Sequence, residues 1–352
     1  MLREKFIRAM RREDESFIPM EFDLCPSKLE EFKTRTGKDD YFEYYGFPFR
    51  FVYAQNIPRD EVFKSYYHSP DELTFDDWGV GYKAGSVAHF TEMQHPMKDF
   101  VSIEEFENFP YPDPDKNYIW SDLAKQIHDI NEKGLATIAA MPMTIFEISW
   151  YLRGMDNFMV DMVINPELAV YLLDRITEIR CEFAKRYALL NCDFLFLGDD
   201  VSTQLDMMIS PSTWREFIKP RLQKVIKAAK EVKPDILIAY HGDGNLYKII
   251  PDLIEVGVEI LNPVQPECID PVEIKKEFGD MLSFWGTVGT QTTMPFGTSE
   301  EVKRVCRRMI EEVGKGGGLI LAPTHTIEPE VPWENIEAFV DSVNDYNKGA
   351  SQ

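Results

Sequence analysis

From residue 118 onward the chain alternates between two hydrophobic periods. Short continuous apolar runs lie at 135–142, 192–197, 236–240, 259–263, 281–285 and 319–322. Their length and their lack of polar interruption predict strands buried on both faces, as in a parallel sheet. Between them, apolar residues recur every three or four positions, which predicts helices at 121–133, 146–152, 166–190, 210–232, 246–256, 271–278, 299–313 and 333–346. The ends carry local signals. Gly134 and Gly257 follow helix C-termini, and Ser210 offers an N-cap before a first-turn Pro211.

The first third is less regular. Residues 3–12 predict a helix with Phe6, Ile7 and Met10 on one face, 17–23 a strand and 26–33 a helix. The stretch 41–53 is dense in Phe and Tyr, and two readings stay open for it: a hydrophobic cluster covering a barrel end, or a wall lining a substrate cavity. Residues 61–114 are Asp- and Pro-rich with weak periodicity, and read as an irregular insertion holding a small antiparallel sheet around 78–94.

One strand at 17–23, one expected in the irregular region and the six later runs make roughly eight strands alternating with helices. The pattern predicts an α/β fold, a single (β/α)8 TIM barrel over 1–352 with the insertion at 61–114. A dinucleotide-binding sheet is disfavoured, because no strand is followed by Gly-x-Gly-x-x-Gly; Gly316-Gly-Gly318 precedes a strand instead.

Composition narrows the partners. With 44% apolar and 28% charged residues the chain has the make-up of a soluble globular protein, and its apolar runs fall short of the roughly 20 residues that span a bilayer. A net charge of −22 makes nucleic acid and anionic membranes poor partners, since phosphate is bound by clustered Lys and Arg. The basic N-terminus lacks the apolar core and cleavage site of a secretory signal, so a cytoplasmic location is expected. The five scattered cysteines form no Cys-x-x-Cys pair, and most read as buried apolar groups. A homodimer is among the assemblies considered.

In a barrel of this type, function sits at the C-terminal ends of the strands. Those ends carry Thr144 and Glu147; Asp199, Asp200 and Gln204; His241 and Asp243; Asn262 and Gln265; Thr287, Thr290 and Gln291; and Thr324 with His325. The stretch 235–245 is the sharpest of them. After the apolar run to Tyr240, His241 and Asp243 stand two residues apart and project from one face if the strand continues, while Gly242 and Gly244 leave room for a ligand. His241, Asp243 and His325 admit three readings: a divalent metal site, proton transfer, or hydrogen-bonded structural histidines. Of the pair Asp199-Asp200 at most one faces the mouth, and a helix-capping role is the alternative. Arg153 and Arg221 read as carboxylate binders or as surface ion pairs.

Several of these segments together resemble the uroporphyrinogen decarboxylase superfamily, most closely its cobalamin-dependent methyltransferase-like branch. They are Gly198-Asp-Asp-Val-Ser-Thr-Gln204, Met208-Ile-Ser-Pro-Ser-Thr-Trp-Arg-Glu-Phe-Ile-Lys-Pro-Arg221, His241-x-x-Gly-Asn245, Leu261-Asn-Pro-Val-Gln-Pro266, Phe284-Trp-Gly286 and Pro332-x-Glu-Asn-Ile336. The resemblance implies one barrel with its cleft at the C-terminal rim. The decarboxylases carry an Arg-x-x-x-Arg clamp just after the first strand; here that stretch reads Asp23-Leu-Cys-Pro-Ser-Lys28, without arginine. The methyltransferase branch binds zinc through His-x-Cys and a distant Cys. His241 matches, but Asp243 and Thr324 stand where the thiolates would be. Oxygen and nitrogen ligands make the metal harder, suited to polarising an ether oxygen or amine nitrogen rather than activating a thiol.

The resulting expectation is a corrinoid-dependent methyltransferase or demethylase component acting on a small O- or N-methylated substrate, with the corrinoid supplied by a partner protein. Asp200, His241 and Glu147 are the expected catalytic groups; Asn262, Gln265, Tyr240 and Gln291 the substrate contacts; and His241, Asp243 and His325 the ligands of a Zn²⁺ ion. A metal-independent decarboxylase using Asp200, and a non-catalytic small-molecule-binding barrel, are the alternatives.

Overall fold

The computed structural model describes residues 1–85 and 91–350. Seven parallel strands form one curled sheet in chain order: β1 Phe49–Val52, β2 Ala136–Met141, β3 Phe194–Gly198, β4 Leu237–His241, β5 Ile260–Val264, β6 Ser283–Val288 and β7 Leu319–Pro323. Residues 18–24 take the remaining position beside β7. There the Leu321 N–H donates to the Pro19 carbonyl (3.0 Å) and the Ile327 N–H to the Asp23 carbonyl (2.8 Å). Met20 and Leu24 bridge Leu321 and Ile327 in parallel sense. Phe22 then meets Phe47, just ahead of β1, edge to face at 5.0 Å. With helices packed between successive strands, the architecture is the expected (β/α)8 barrel. Among the described residues no helix is long and apolar enough to cross a membrane, and all five cysteines are free.

Because successive side chains on a strand face opposite ways, the apolar runs supply two cores at once. Phe49, Ile138, Phe194, Ala239, Ile260, Trp285 and Ile320 belong to the inner cluster, whereas Val52, Leu195, Ile238, Leu261 and Phe284 pack in the outer one, between sheet and helices. The N-terminal helix Leu2–Met10 closes the inner cluster from below. Its Phe6 is fully buried with ring centroids 4.9 Å from Phe194 and 5.3 Å from Phe49. Arg3 fastens the helix by donating to both carboxylate oxygens of buried Asp193 (2.9 and 2.7 Å), which also accepts from the Thr137 N–H.

Two features differ from the sequence expectation. The second barrel position is filled by β1, inside the aromatic stretch 41–53, and not by a strand of 61–114. The described strands of that region, Leu73–Phe75, Gly81–Ala84 and Thr91–Gln94, form a separate antiparallel sheet, as the pattern around 78–94 suggested. A four-residue strand in which aromatics occupy both neighbouring turns has no contrast in polarity to mark its ends, which is why β1 was hidden. The helix expected over 210–232 is two, Pro211–Phe217 and Lys219–Lys230, broken where Pro220 removes a backbone donor.

The plug gives the first prediction. Phe6→Ala removes a fully buried ring and is expected to cost about 3–5 kcal/mol of stability, read as a lowered urea midpoint at unchanged slope. A midpoint equal to that of the parent chain would show that the helix does not seal the barrel.

Candidate functional site

The inward series of β4 runs Leu237, Ala239, His241, and that of β5 runs Ile260, Asn262. His241 and Asn262 are register partners, so both side chains emerge at the mouth side by side. The ring Nδ1 of His241 lies 2.7 Å from Asn262 Oδ1. An amide oxygen only accepts, so Nδ1 is the donor in this contact and Nε2 is the ring nitrogen left to face the mouth. Nε2 faces Asp200 Oδ1 at 3.8 Å and Asp243 Oδ1 at 3.9 Å. One ligand atom from each of Asp200, His241 and Asp243 lies within 4.8 Å of the others, the only group of three among the described residues with spacing that could hold a metal ion.

The backbone holds this group in shape. The Asp243 N–H donates to Asp200 Oδ1 (2.8 Å), tying the loop after β3 to the loop after β4. The Oδ1 of Asp243 is buried and has no hydrogen-bond partner, and burial raises the pKa of its carboxyl. Gly244, at φ +90°, lets the backbone turn against the Thr203 carbonyl, where a Cβ would meet that oxygen at 2.4 Å.

Asp199 and Asp200 divide the two roles expected of the pair. Asp199 is fully buried and accepts from the N–H groups of Ile145 and Glu147 (both 3.0 Å), satisfying the N-terminus of the helix Phe146–Arg153. Burial pushes its carboxyl up to about 7. Glu147 lies behind Asp200 and not in the cavity: its Oε2 accepts the Asp200 N–H at 3.0 Å. Burial first, then the neighbouring Asp199 and Asp200, push Glu147 up to about 8, so it is mostly a neutral acid at pH 7. Expected as a catalytic contact, Glu147 instead meets Asp200 from behind and is absent from the lining of the mouth.

The mouth around this group is a cavity of about 610 Å³ lined by residues from every side of the barrel. Phe51, Phe196 and Trp285 form its floor: Phe51 stacks on Trp285 at 6.1 Å, and Phe196 meets both edge-on. Tyr41 and Tyr53 line the wall, so the aromatic stretch serves partly as cluster and partly as lining. Across from His241 stand Glu21 and Asp23. Glu21 accepts from Trp285 Nε1 (3.1 Å), and its burial pushes its carboxyl up to about 7. Asp23 accepts from the Tyr41 hydroxyl (2.7 Å).

Other expected residues separate from the group. Tyr240 is fully buried in the outer layer, a correction to its role as substrate contact. One residue from inward-facing His241, it must point the opposite way. Gln265 and Gln291 line an adjoining polar cavity of about 490 Å³ that shares Asp243, Thr324 and His325 with the mouth. His325 is exposed on the loop after β7 and lines both cavities, but lies outside the group of three; Asp200 takes the place expected for it. Arg153 and Arg221 face neither cavity. They pair with Asp161 (2.7 Å) and Asp174 (2.9 Å). The floor and the Glu21–Asp23 side were missed, although both follow from period two: Phe49, Phe51, Tyr53 and Glu21, Asp23 each alternate on one face.

Known proteins share this fold. A solved methyltransferase from Methanosarcina mazei superposes with a TM-score of 0.72 over 98% of both chains at 19% identity, which establishes the common fold. The methylcobamide:CoM methyltransferase MtaA of Methanosarcina barkeri is 29% identical over 195 residues, 55% of this chain. The match spans 54% of that relative, about half its length. The uroporphyrinogen decarboxylase of Rickettsia conorii is 27% identical over 262 residues, 72% of this chain and 71% of the relative. The family model described as uroporphyrinogen decarboxylase (URO-D) matches residues 1–346. With a barrel of matching topology and a family match over nearly its whole length, the chain belongs to the uroporphyrinogen decarboxylase (URO-D) family.

Proposed function

We propose that this protein is a methyltransferase component that passes a methyl group from a small O- or N-methylated compound to a corrinoid carried by a partner protein, with Zn²⁺ held by His241, Asp243 and Asp200. The observation that carries the reading is the buried, unpartnered Oδ1 of Asp243 facing the free Nε2 of His241. A buried acceptor left unmade costs about 1–3 kcal/mol, and a cation between the two groups removes that cost. One imidazole and two carboxylates open to a cavity are a hard donor set that leaves a position for substrate. Bound there, zinc would act as a Lewis acid on the methyl-bearing oxygen or nitrogen and improve it as a leaving group.

The chain's own residues do the rest. Asn262 fixes the imidazole tautomer and ring plane. The Asp243 N–H, by bonding Asp200, keeps both carboxylates turned toward the ring. Glu147 accepts the Asp200 N–H and, being mostly neutral, adds little further negative charge behind the ligand set. The rings of Phe51, Phe196 and Trp285 keep water from the floor, which lowers the local dielectric around the polarised bond. A decarboxylase acting on a polycarboxylate finds less support here, because Glu21, Asp23, Asp200 and Asp243 line the mouth and no Lys or Arg does.

Three measurements bear on this reading. Zinc titrated into metal-free protein against a chromophoric chelator is expected to bind once per chain. Asn262→Ala should weaken it about 10–100-fold and His241→Ala further still; equal affinity in the His241→Ala chain would remove the metal from the proposal. Carbon dioxide release from uroporphyrinogen is expected to be absent, and its detection would favour the decarboxylase.

The third concerns Glu147 and is made on metal-free protein. Its folded pKa of about 8 lies above the ordinary glutamate value of 4.5, so the fold favours the protonated form. The stability this contributes is complete below about pH 4.5 and is lost as pH rises through about 8. Glu147→Gln keeps an acceptor for the Asp200 N–H and is expected to flatten that decline between about pH 5 and 8, by at most about 1.4 kcal/mol per pH unit. Parallel stability–pH profiles for the two chains would show that Glu147 is not held neutral.

A further inference from the structure

Resting on the reading that this mouth takes a methylated substrate, we propose that the substrate is a cation whose alkylated ammonium head lies against Phe51 and Tyr53, facing Glu21 and Asp23, while the methyl-bearing heteroatom points toward His241 and Asp243. Four carboxylates line the cavity without a Lys or Arg among the lining residues. Two of them, Asp200 and Asp243, belong to the group that would hold the metal. Glu21 and Asp23 are left over, on the opposite side, and neither forms an ion pair among the described residues. Asp23 has no charged counterpart in the protein, and Glu21, which burial holds partly protonated near pH 7, would be drawn toward its carboxylate form by a cation placed between them.

Two of the polar groups on the aromatic side are already committed. The Trp285 N–H donates to Glu21 and the Tyr41 hydroxyl to Asp23. What Phe51, Phe196 and Tyr53 offer a ligand is ring surface, and negative ring faces attract a cation. A primary ammonium would present N–H donors to rings that accept them poorly. An alkylated ammonium presents polarised methyl and methylene groups, which suit ring faces backed by carboxylates. In the metal-free mouth an anion of the same size meets only acidic groups and no Lys or Arg, and a neutral molecule gains nothing from Glu21 and Asp23. The chain's net charge of −22 adds a long-range field of the same sign.

The test uses three compact probes of similar size, titrated calorimetrically into metal-free and zinc-loaded full-length protein: tetramethylammonium, neutral tert-butanol and anionic pivalate. Tetramethylammonium is expected to bind at least tenfold more tightly than either of the others. Tyr53 is 56% exposed, so Tyr53→Leu should leave folding intact while weakening the cation several-fold; Glu21→Gln, which keeps an acceptor for Trp285, should weaken it about tenfold. Equal affinity for the cation and tert-butanol, tighter binding of pivalate, or unchanged cation affinity in both variants would overturn the inference. Zinc affinity measured on the same samples separates the two proposals. Zinc binding without cation selectivity overturns this one alone, and cation selectivity without zinc binding supports it while removing the metal.

Discussion

The arrangement depends on side-chain alternation in a barrel closed at one end. Inside the sheet every second residue faces a lumen that Phe6 and its helix seal from below, so no polar group can be solvated there. The first inward position at which a strand can carry a polar side chain is its last. His241 follows Leu237 and Ala239, and Asn262 follows Ile260. Their hydrogen bond exists because parallel pairing aligns the two positions. A one-residue shift of either strand would turn its polar group into the helix layer.

Around that pair, acidic groups are distributed by burial. Asp199 is consumed in satisfying a helix N-terminus, which leaves Asp200 free to face the imidazole. Glu147 lies one layer back, kept largely uncharged by burial and by its acidic neighbours. The acidic groups that remain at the surface of the mouth, above an aromatic floor, are what the proposed preference for a cation rests on. On the proposed reading, Asp243 and Thr324, at the positions where the methyltransferase-like branch would carry thiolates, would keep the donor set hard, in line with an oxygen or nitrogen leaving group rather than a sulfur nucleophile.

The family gives the barrel and the location of its mouth, and relatives named for two different reactions share both. Chemistry therefore rests on the lining residues. The missing arginine clamp near residue 23 is matched by the absence of Lys and Arg from the whole described lining. Glu21 and Asp23 occupy that side of the mouth instead.

The amino-acid sequence by itself determined the alternation of helices and strands after residue 118, the barrel, and the rim on which polar residues gather. Those follow from local periodicity and from the rule that a buried parallel strand must be apolar throughout. It also placed His241 and Asp243 together, because their spacing of two is a local property. Only the tertiary structure decided which other residues join them. Asp200 replaces His325 beside the imidazole because the loops after β3 and β4 are tied by a backbone hydrogen bond, a contact across 43 positions that no local pattern encodes. Tyr240 and Glu147, adjacent in sequence or role, are set aside by the facing of one strand and the depth of one helix. The aromatic floor and the Glu21–Asp23 side emerged in the same way, from segments whose inward faces meet only when the sheet closes.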